Sequence, residues 1–396
     1  MKTAVSLLIP NAGGRAPAGA VLHRRGRAVS SVGGPLETLQ QVAQSPLPPA
    51  APADLVGVAC SYTPLEVLHA AGLAPVRLRG LGAFAPAADA WLPPFACAII
   101  RGILGAALRG GLGSLAAVVV PHTCDSMQEL TGIWHALCPD LPLLTPVEPL
   151  HVESERAPAY LRGELFSLAG SLARRLGRQV TDESLAHSIA LYNRVRRAVG
   201  ALDALRDHMT ATEAWAAIAA AWQMPPEAYL SLAEPLAQAL QSTAPRLAPG
   251  PSLLLAGSVL DDPLIPEIID ALGGRVVGDD LCNGTRDIAV LACESGDPWS
   301  ALAKRMLQRP PCPVRHAPAS PWAGRLARLA ADRGAQGVVH VLVKFCDPHG
   351  FEAVPAGRAL AAGGHARLPL EVEARNAPEQ LRGRLQAFFE MLSVGP

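Results

Sequence analysis

Cysteine supplies the chemistry this sequence concentrates. Eight cysteines stand at positions 60, 97, 124, 138, 282, 293, 312 and 346, and no two form a CxxC pair. Cys60 ends the run Leu55-Val56-Gly57-Val58-Ala59. Cys124 follows Ala117–Val120 after Pro121-His122-Thr123. Cys282 follows Arg275-Val276-Val277 after Gly278-Asp279-Asp280-Leu281, and Cys346 follows Val338–Val343 after Lys344-Phe345. Each run is short, β-branched and bounded by turn residues, the pattern of a buried parallel strand. These cysteines therefore fall at or just past the carboxyl ends of strands, the edge where open α/β sheets bind ligands. Thiols gathered there from distant parts of the sequence predict a shared metal or cluster site. Soft thiolates favour zinc or iron–sulfur, and the spacing does not choose between them. Taken singly, any one of these cysteines reads as a small buried hydrophobe. A disulfide framework belongs to small secreted chains with weak cores, and this chain is neither small nor poor in apolar residues.

Other signatures of chemistry are missing. There is no GxxxxGK[ST], so the chain has no P-loop for ATP. No GxGxxG follows a strand, since Gly110-Gly111-Leu112-Gly113 sits in a turn. HExxH and GxSxG are absent. The histidines are scattered and read as loop or core residues, with His122 and His349 set apart only by lying beside cysteines.

The elements that must position the thiols follow from composition and periodicity. The chain has 396 residues, half of them apolar, 17% charged and with no net formal charge. That length and apolar content predict a large core and roughly two domains. Neutral charge argues against a general nucleic-acid or anionic-membrane binder. No apolar run reaches the ~18 residues needed to span a bilayer, and a cytoplasmic location is expected. Lysine occurs only at positions 2, 304 and 344, which reads as coding bias. The apolar run Ala4–Ile9 after Met1-Lys2 faintly resembles a secretory signal but is shorter than an ordinary one.

Residues 1–53 are rich in Gly and Pro and read as a loosely packed lead-in. From 54 to 150, strands at 55–60, 75–79, 117–121 and 142–146 alternate with helices at 63–72, 96–110 and 125–138. Residues 151–250 are helical: Leu185, Ile189, Tyr192, Val195, Val199 and Leu202 recur at helical spacing, behind an N-cap at Thr181-Asp182-Glu183. Their arginines (Arg174-Arg175, Arg194, Arg196-Arg197) read as a solvated face or an interaction surface. From 251 to 396, strands at 252–257, 275–278, 337–343 and 367–372 alternate with helices at 263–272, 298–307, 322–333, 355–361 and 378–393. The fold class is α/β, with two Rossmann-like parallel-sheet domains and a helical insert between them.

Four segments carry a family resemblance. They are Gly57-Val58-Ala59-Cys60-Ser61-Tyr62-Thr63-Pro64-Leu65-Glu66 running into Ala70–Arg77, Pro121-His122-Thr123-Cys124-Asp125-Ser126, Asp279-Asp280-Leu281-Cys282-Asn283-Gly284-Thr285-Arg286, and Lys344-Phe345-Cys346-Asp347-Pro348 with the C-terminal helix after it. Over residues 54–393 the chain resembles the activator-dependent 2-hydroxyacyl-CoA dehydratases, the benzoyl-CoA reductases and the double-cubane-cluster proteins. The resemblance implies a [4Fe–4S] cluster on Cys97, Cys124 and Cys346. Cys60, Cys282 and Cys312 match three further cysteines of the double-cubane members, which carry an [8Fe–9S] cluster. Cys138 and Cys293 match nothing and read as structural. Ala98 stands where the family usually has Pro.

The implied activity uses low-potential single electrons on a CoA thioester, giving a ketyl radical in the dehydratases and ring reduction in the benzoyl-CoA reductases. The double-cubane members reduce small molecules, and a non-catalytic relay or scaffold subunit is a further alternative. The implied partners are a paralogous subunit or a second copy, and a separate ATP-hydrolysing activase, which agrees with the missing P-loop. Among nearby residues, Glu66 lies one helical turn beyond Cys60 and reads either as an acid–base group or as a helix-start carboxylate. Ser61 reads as a donor to a substrate carbonyl or as a helix cap. Arg286 reads as a contact to CoA phosphates or as the partner of an acid. Asp125 and Asp347 read as helix caps.

Overall fold

In the computed structural model, which describes residues 34–45, 54–81, 86–246, 248–315, 319–373 and 377–394, the short apolar runs form two four-stranded, all-parallel sheets. The first contains β1 (Leu55–Val58), β2 (Ala74–Arg77), β3 (Ala117–Val119) and β4 (Leu143–Leu144), in the order β2-β1-β3-β4. The second contains β5 (Ser252–Gly257), β6 (Arg275–Asp280), β7 (Gly337–Val343) and β8 (Ala366–Val372), in the order β6-β5-β7-β8. The central strands β1, β3 and β5 are buried along their whole length, as a sheet covered by helices on both faces requires. Val56 pairs with Ala117 and Leu253 with Gly337, while the β5–β6 pairing shifts register between Leu253 and Leu254. β5 ends on Gly257 at φ +134°, where a Cβ would lie 2.0 Å from the Val341 carbonyl oxygen, so no other residue fits.

Four helices lie between the sheets in sequence: Ala157–Leu176, Asp182–Ala204, Ala211–Ala219 and Pro226–Gln241. Capping boxes start two of them, Thr181 with Ser184 and Thr210 with Glu213. The expected apolar stripe on Asp182–Ala204 is buried from Leu185 to Leu202, each such side chain contributing ~1.5–3 kcal/mol. Among the described residues, no helix is long and apolar enough to cross a membrane.

The structure corrects three expectations. Within the lead-in, Pro35–Gln44 is a helix that buries Leu39, Val42 and Ala43. Proline at its first turn and this apolar spacing explain it. The short apolar run Ala4–Ile9 and the rest of 1–33, with 46–53, lie outside the described residues. The helix expected at 355–361 begins at Asp347 and runs to Ala362, carrying Pro355 inside it. Pro348 sits in its first turn, where no amide bond is lost. Of the arginines read as a solvated face, Arg194 and Arg197 are exposed but Arg196 is 4% exposed.

Arg196 belongs to a seam of buried polar contacts that joins the two α/β halves. Its guanidinium pairs with Glu66 in the first half and lies 3.8 Å from Asp287 in the second. Asp287 also pairs with Arg305 at 2.8 Å and Arg309 at 2.9 Å. Arg309 donates to the Ser61 carbonyl at 2.7 Å, and Arg315 pairs with Glu148. Asp261 accepts from the amides of Gly80 (3.0 Å) and Leu81 (3.1 Å).

Candidate metal centre

Each sheet reverses its winding between its two central strands, and such a switch point opens a crevice at the carboxyl ends. Cys60 follows β1 and Cys124 follows β3, flanking the first crevice. Cys346 follows β7 at the second crevice, and Cys282 follows β6.

Three of the thiols share a further feature. Cys97, Cys124 and Cys346 are the N-cap residues of the helices Ala98–Leu108, Asp125–Leu137 and Asp347–Ala362. The first of these helices is pressed close to the chain after β2: a Cβ on Gly102 would lie 2.0 Å from the Gly80 carbonyl oxygen. The three thiols line a single cavity of about 790 Å³. Thr123, Ser126 and Gln128 give it a polar side, and Leu150, Phe351 and Val354 an apolar one.

Electrostatics at these thiols is a contest. Burial raises all three, taking Cys124 to about 12, while first-turn peptide N–H groups at Ile100, Met127 and His349 pull them down. The thiols also raise one another: Cys346 feels Cys97, Cys124 and Cys282. Raised in this way, the three stay thiols on their own, and a soft metal or cluster between them would displace their protons and offset the repulsion of the thiolates. The donor set and the helix N-termini thus fit an anionic iron–sulfur group.

Beside this cavity lies a second set. Cys282, Cys312 and His349 bring their ligand atoms within 4.8 Å of one another, all buried. Arg286 donates from Nη1 to the Cys282 Sγ at 3.2 Å and the Cys312 Sγ at 3.7 Å. A hydrogen bond from Cys312 holds Cys282 well below an ordinary thiol, and the same bond pushes Cys312 up. Cys60 is half-buried; desolvation raises its thiol, it feels the charge of Cys282, and it accepts from Thr123 Oγ1 at 3.7 Å.

The remaining candidates fall elsewhere. Glu66 is 1% exposed and paired with Arg196. Burial raises its carboxyl, but Arg196 and Arg305 outweigh that and hold it low. It does not line the cavity, so the acid–base reading gives way to a structural ion pair. Ser61 is buried, its carbonyl bound to Arg309, and the helix it was expected to cap starts at Leu65 behind Pro64. Arg286 is 2% exposed and pairs with Asp280 at 3.0 Å, which replaces the reading as a CoA phosphate contact. Asp125 and Asp347 do line the cavity, as first-turn residues, and the N-cap positions are the cysteines before them. Cys138 ends the helix Asp125–Leu137 and Cys293 is exposed. His122 is hydrogen-bonded to Thr131 at 3.5 Å. His349, read from sequence as a loop or core residue set apart by a nearby cysteine, is here buried beside two thiols. Its only trace in the sequence is that it stands three residues after Cys346, on the same side of the first helical turn.

Comparison with known proteins adds a family. A family model described as "2-hydroxyglutaryl-CoA dehydratase, D-component" matches residues 60–392. The chain is similar to the (R)-phenyllactyl-CoA dehydratase beta subunit of Clostridium sporogenes, 24% identical over 85% of this chain and 91% of that one. It is 26% identical to the beta subunit of lactoyl-CoA dehydratase of Anaerotignum propionicum, with the same two coverages. A benzoyl-CoA reductase subunit of Thauera aromatica is 24% identical over 72% of this chain and 77% of that one.

Proposed function

The chain belongs to the 2-hydroxyglutaryl-CoA dehydratase D-component family, and from that premise we propose that it is the iron–sulfur subunit of a 2-hydroxyacyl-CoA dehydratase or benzoyl-CoA-reductase-like enzyme. One observation carries the reading: the thiols of the N-cap residues Cys97, Cys124 and Cys346, drawn from both α/β halves, line one cavity with polar and apolar residues. They are the residues that would hold a [4Fe–4S] cluster, whose three-thiolate attachment leaves one iron without a protein ligand. When bound, such a cluster supplies single-electron transfer at low potential.

The protein's own groups have distinct tasks. The three helix N-termini favour the anionic thiolates. Leu150, Phe351 and Val354, apolar but exposed, offer an acyl chain a surface to cover. Thr123, Ser126 and Gln128 offer hydrogen bonds to a thioester carbonyl or hydroxyl. The substrate is thus a CoA thioester entering from the open side. A second, related subunit or a second copy completes the enzyme, a separate activase supplies energised electrons, and the location is cytoplasmic.

Anaerobic purification followed by iron, sulfide and EPR analysis tests this. About four irons per chain, the content of one cubane, are expected, together with loss of cluster and of activase-dependent turnover in Cys346→Ala. Protein that stays colourless after cluster reconstitution would refute it. About eight irons would move the cofactor to the double cubane.

A further inference from the structure

We infer that Cys282, Cys312 and His349 form a second metal site, separate from the cavity thiols, that takes one thiophilic divalent ion of the zinc type. The argument begins with what is unmet. His349 is 2% exposed, and neither ring nitrogen has a hydrogen-bond partner. A buried imidazole with both nitrogens unused is rare, and here its ring lies against two thiols with all ligand atoms within 4.8 Å. Arg286 faces both sulfurs as a donor, at 3.2 and 3.7 Å, so both sulfurs accept from it. Its own charge is already matched by Asp280, reached from Nε at 3.2 Å and Nη2 at 3.0 Å. Without an ion the two sulfurs share the Cys312 proton, and a divalent ion would take that proton's place, since a metal-bound cysteine is deprotonated. Two sulfurs and one imidazole nitrogen make three of the four positions of a tetrahedral zinc site.

The surroundings are built as a supporting shell. Asp280 is fully buried and also accepts from Trp322 Nε1 at 2.6 Å, and the Trp322 ring meets the His349 ring edge-on at 5.4 Å. These contacts fix Arg286 and the imidazole in place. The ligands come from the loop after β6, from the segment before Pro313, and from the first turn of the helix capped by Cys346. An ion there would tie down the helix that presents Cys346, so the second centre positions a ligand of the first.

The test is metal binding in the full chain, kept anaerobic. Chelator-treated protein is titrated with Co²⁺ and, separately, Zn²⁺. One equivalent should bind with the thiolate charge-transfer and intense visible bands of a tetrahedral cobalt site. Binding should weaken about tenfold or more in Cys312→Ser and His349→Gln and persist in Cys97→Ser. Unchanged binding in the first two variants, or its loss in Cys97→Ser alone, overturns the proposal. Wild-type protein gives a measurement that needs no variant: zinc-edge X-ray absorption should show two sulfurs at ~2.3 Å and at least one nitrogen at ~2.0 Å. An all-sulfur or all-oxygen shell overturns it, as does reconstitution to about eight irons with no room for zinc. A four-iron protein without the extra ion refutes this inference and leaves the proposed function standing.

Discussion

Replacing Arg196 by methionine removes one cation from the seam and keeps most of its volume. The loss falls on one neighbour. Asp287 retains Arg305 at 2.8 Å and Arg309 at 2.9 Å, whereas Glu66, 1% exposed, loses its direct partner. Breaking a buried pair from one side costs about 3–5 kcal/mol. Arg305 still acts on Glu66 from a distance, so about 3 kcal/mol is expected near pH 8. The pH dependence is the sharper signature. In the native chain Glu66 is held low, so its pairing stabilises above the ordinary carboxylate range and fades as pH falls through the lower, folded value. Without Arg196, burial is the larger influence and the folded value rises above the unfolded one. The variant's penalty then shrinks as pH falls below that raised value, by up to ~1.4 kcal/mol per pH unit. Guanidinium unfolding of both proteins between pH 5 and 8 measures this, and Glu66→Gln/Arg196→Met should recover part of the loss. A penalty under about 1 kcal/mol that does not change with pH, or strict additivity in the double variant, would refute the reasoning.

Three further outcomes follow from the same contacts. Gly257→Ala forces a Cβ to within 2.0 Å of a backbone oxygen at φ +134°; it should lower stability by ~2 kcal/mol or more, and a neutral thermal melt would contradict the geometry. Cys138→Ser and Cys293→Ser should leave the iron content of purified protein at the native level, while a drop in either would reopen the ligand assignment. Burial raises the Asp261 carboxyl, so the folded chain keeps that proton to higher pH than the unfolded one, and stability declines as pH climbs past the ordinary Asp range. Asp261→Asn should remove that part of the decline in pH-dependent denaturation, and an unchanged slope would count against it.

The strands were legible because their signal is local. Runs such as Leu253-Leu254-Leu255 and Val338–Val343 read as continuous apolar stretches, and the turn after the second delivers Cys346 to the sheet edge. Helix starts marked by side chains, such as Thr181, were equally plain. The cysteine caps were hidden, because Cys is not a customary N-cap and Asp125 and Asp347 drew attention to the wrong position. The pairing of Arg196 with Glu66 was hidden for a different reason. Their types describe surface residues, and only the meeting of elements 130 positions apart makes them a buried pair. The likeness of the two sheets in strand order also escaped notice, since topology leaves no mark when the paired sequences share only apolar character. His349 required the loop after β6 to fold back on the helix at Asp347, which no spacing rule encodes.

The seam has a mechanical meaning. Two jaws, each with its own sheet, close on the cavity, one bringing Cys97 and Cys124 and the other Cys346. What sets the bite of such a caliper is its hinge, and here the hinge is held by charged and polar contacts: Arg196 between Glu66 and Asp287, Arg309 on Ser61, Arg315 on Glu148 and Asp261 on the Gly80 and Leu81 amides. Polar contacts have defined lengths and directions, so they fix an opening more sharply than apolar packing, which tolerates sliding. Residues that never touch the cavity thus gauge the gap between its thiols, and substitutions along the hinge would retune how large an object the jaws can grip.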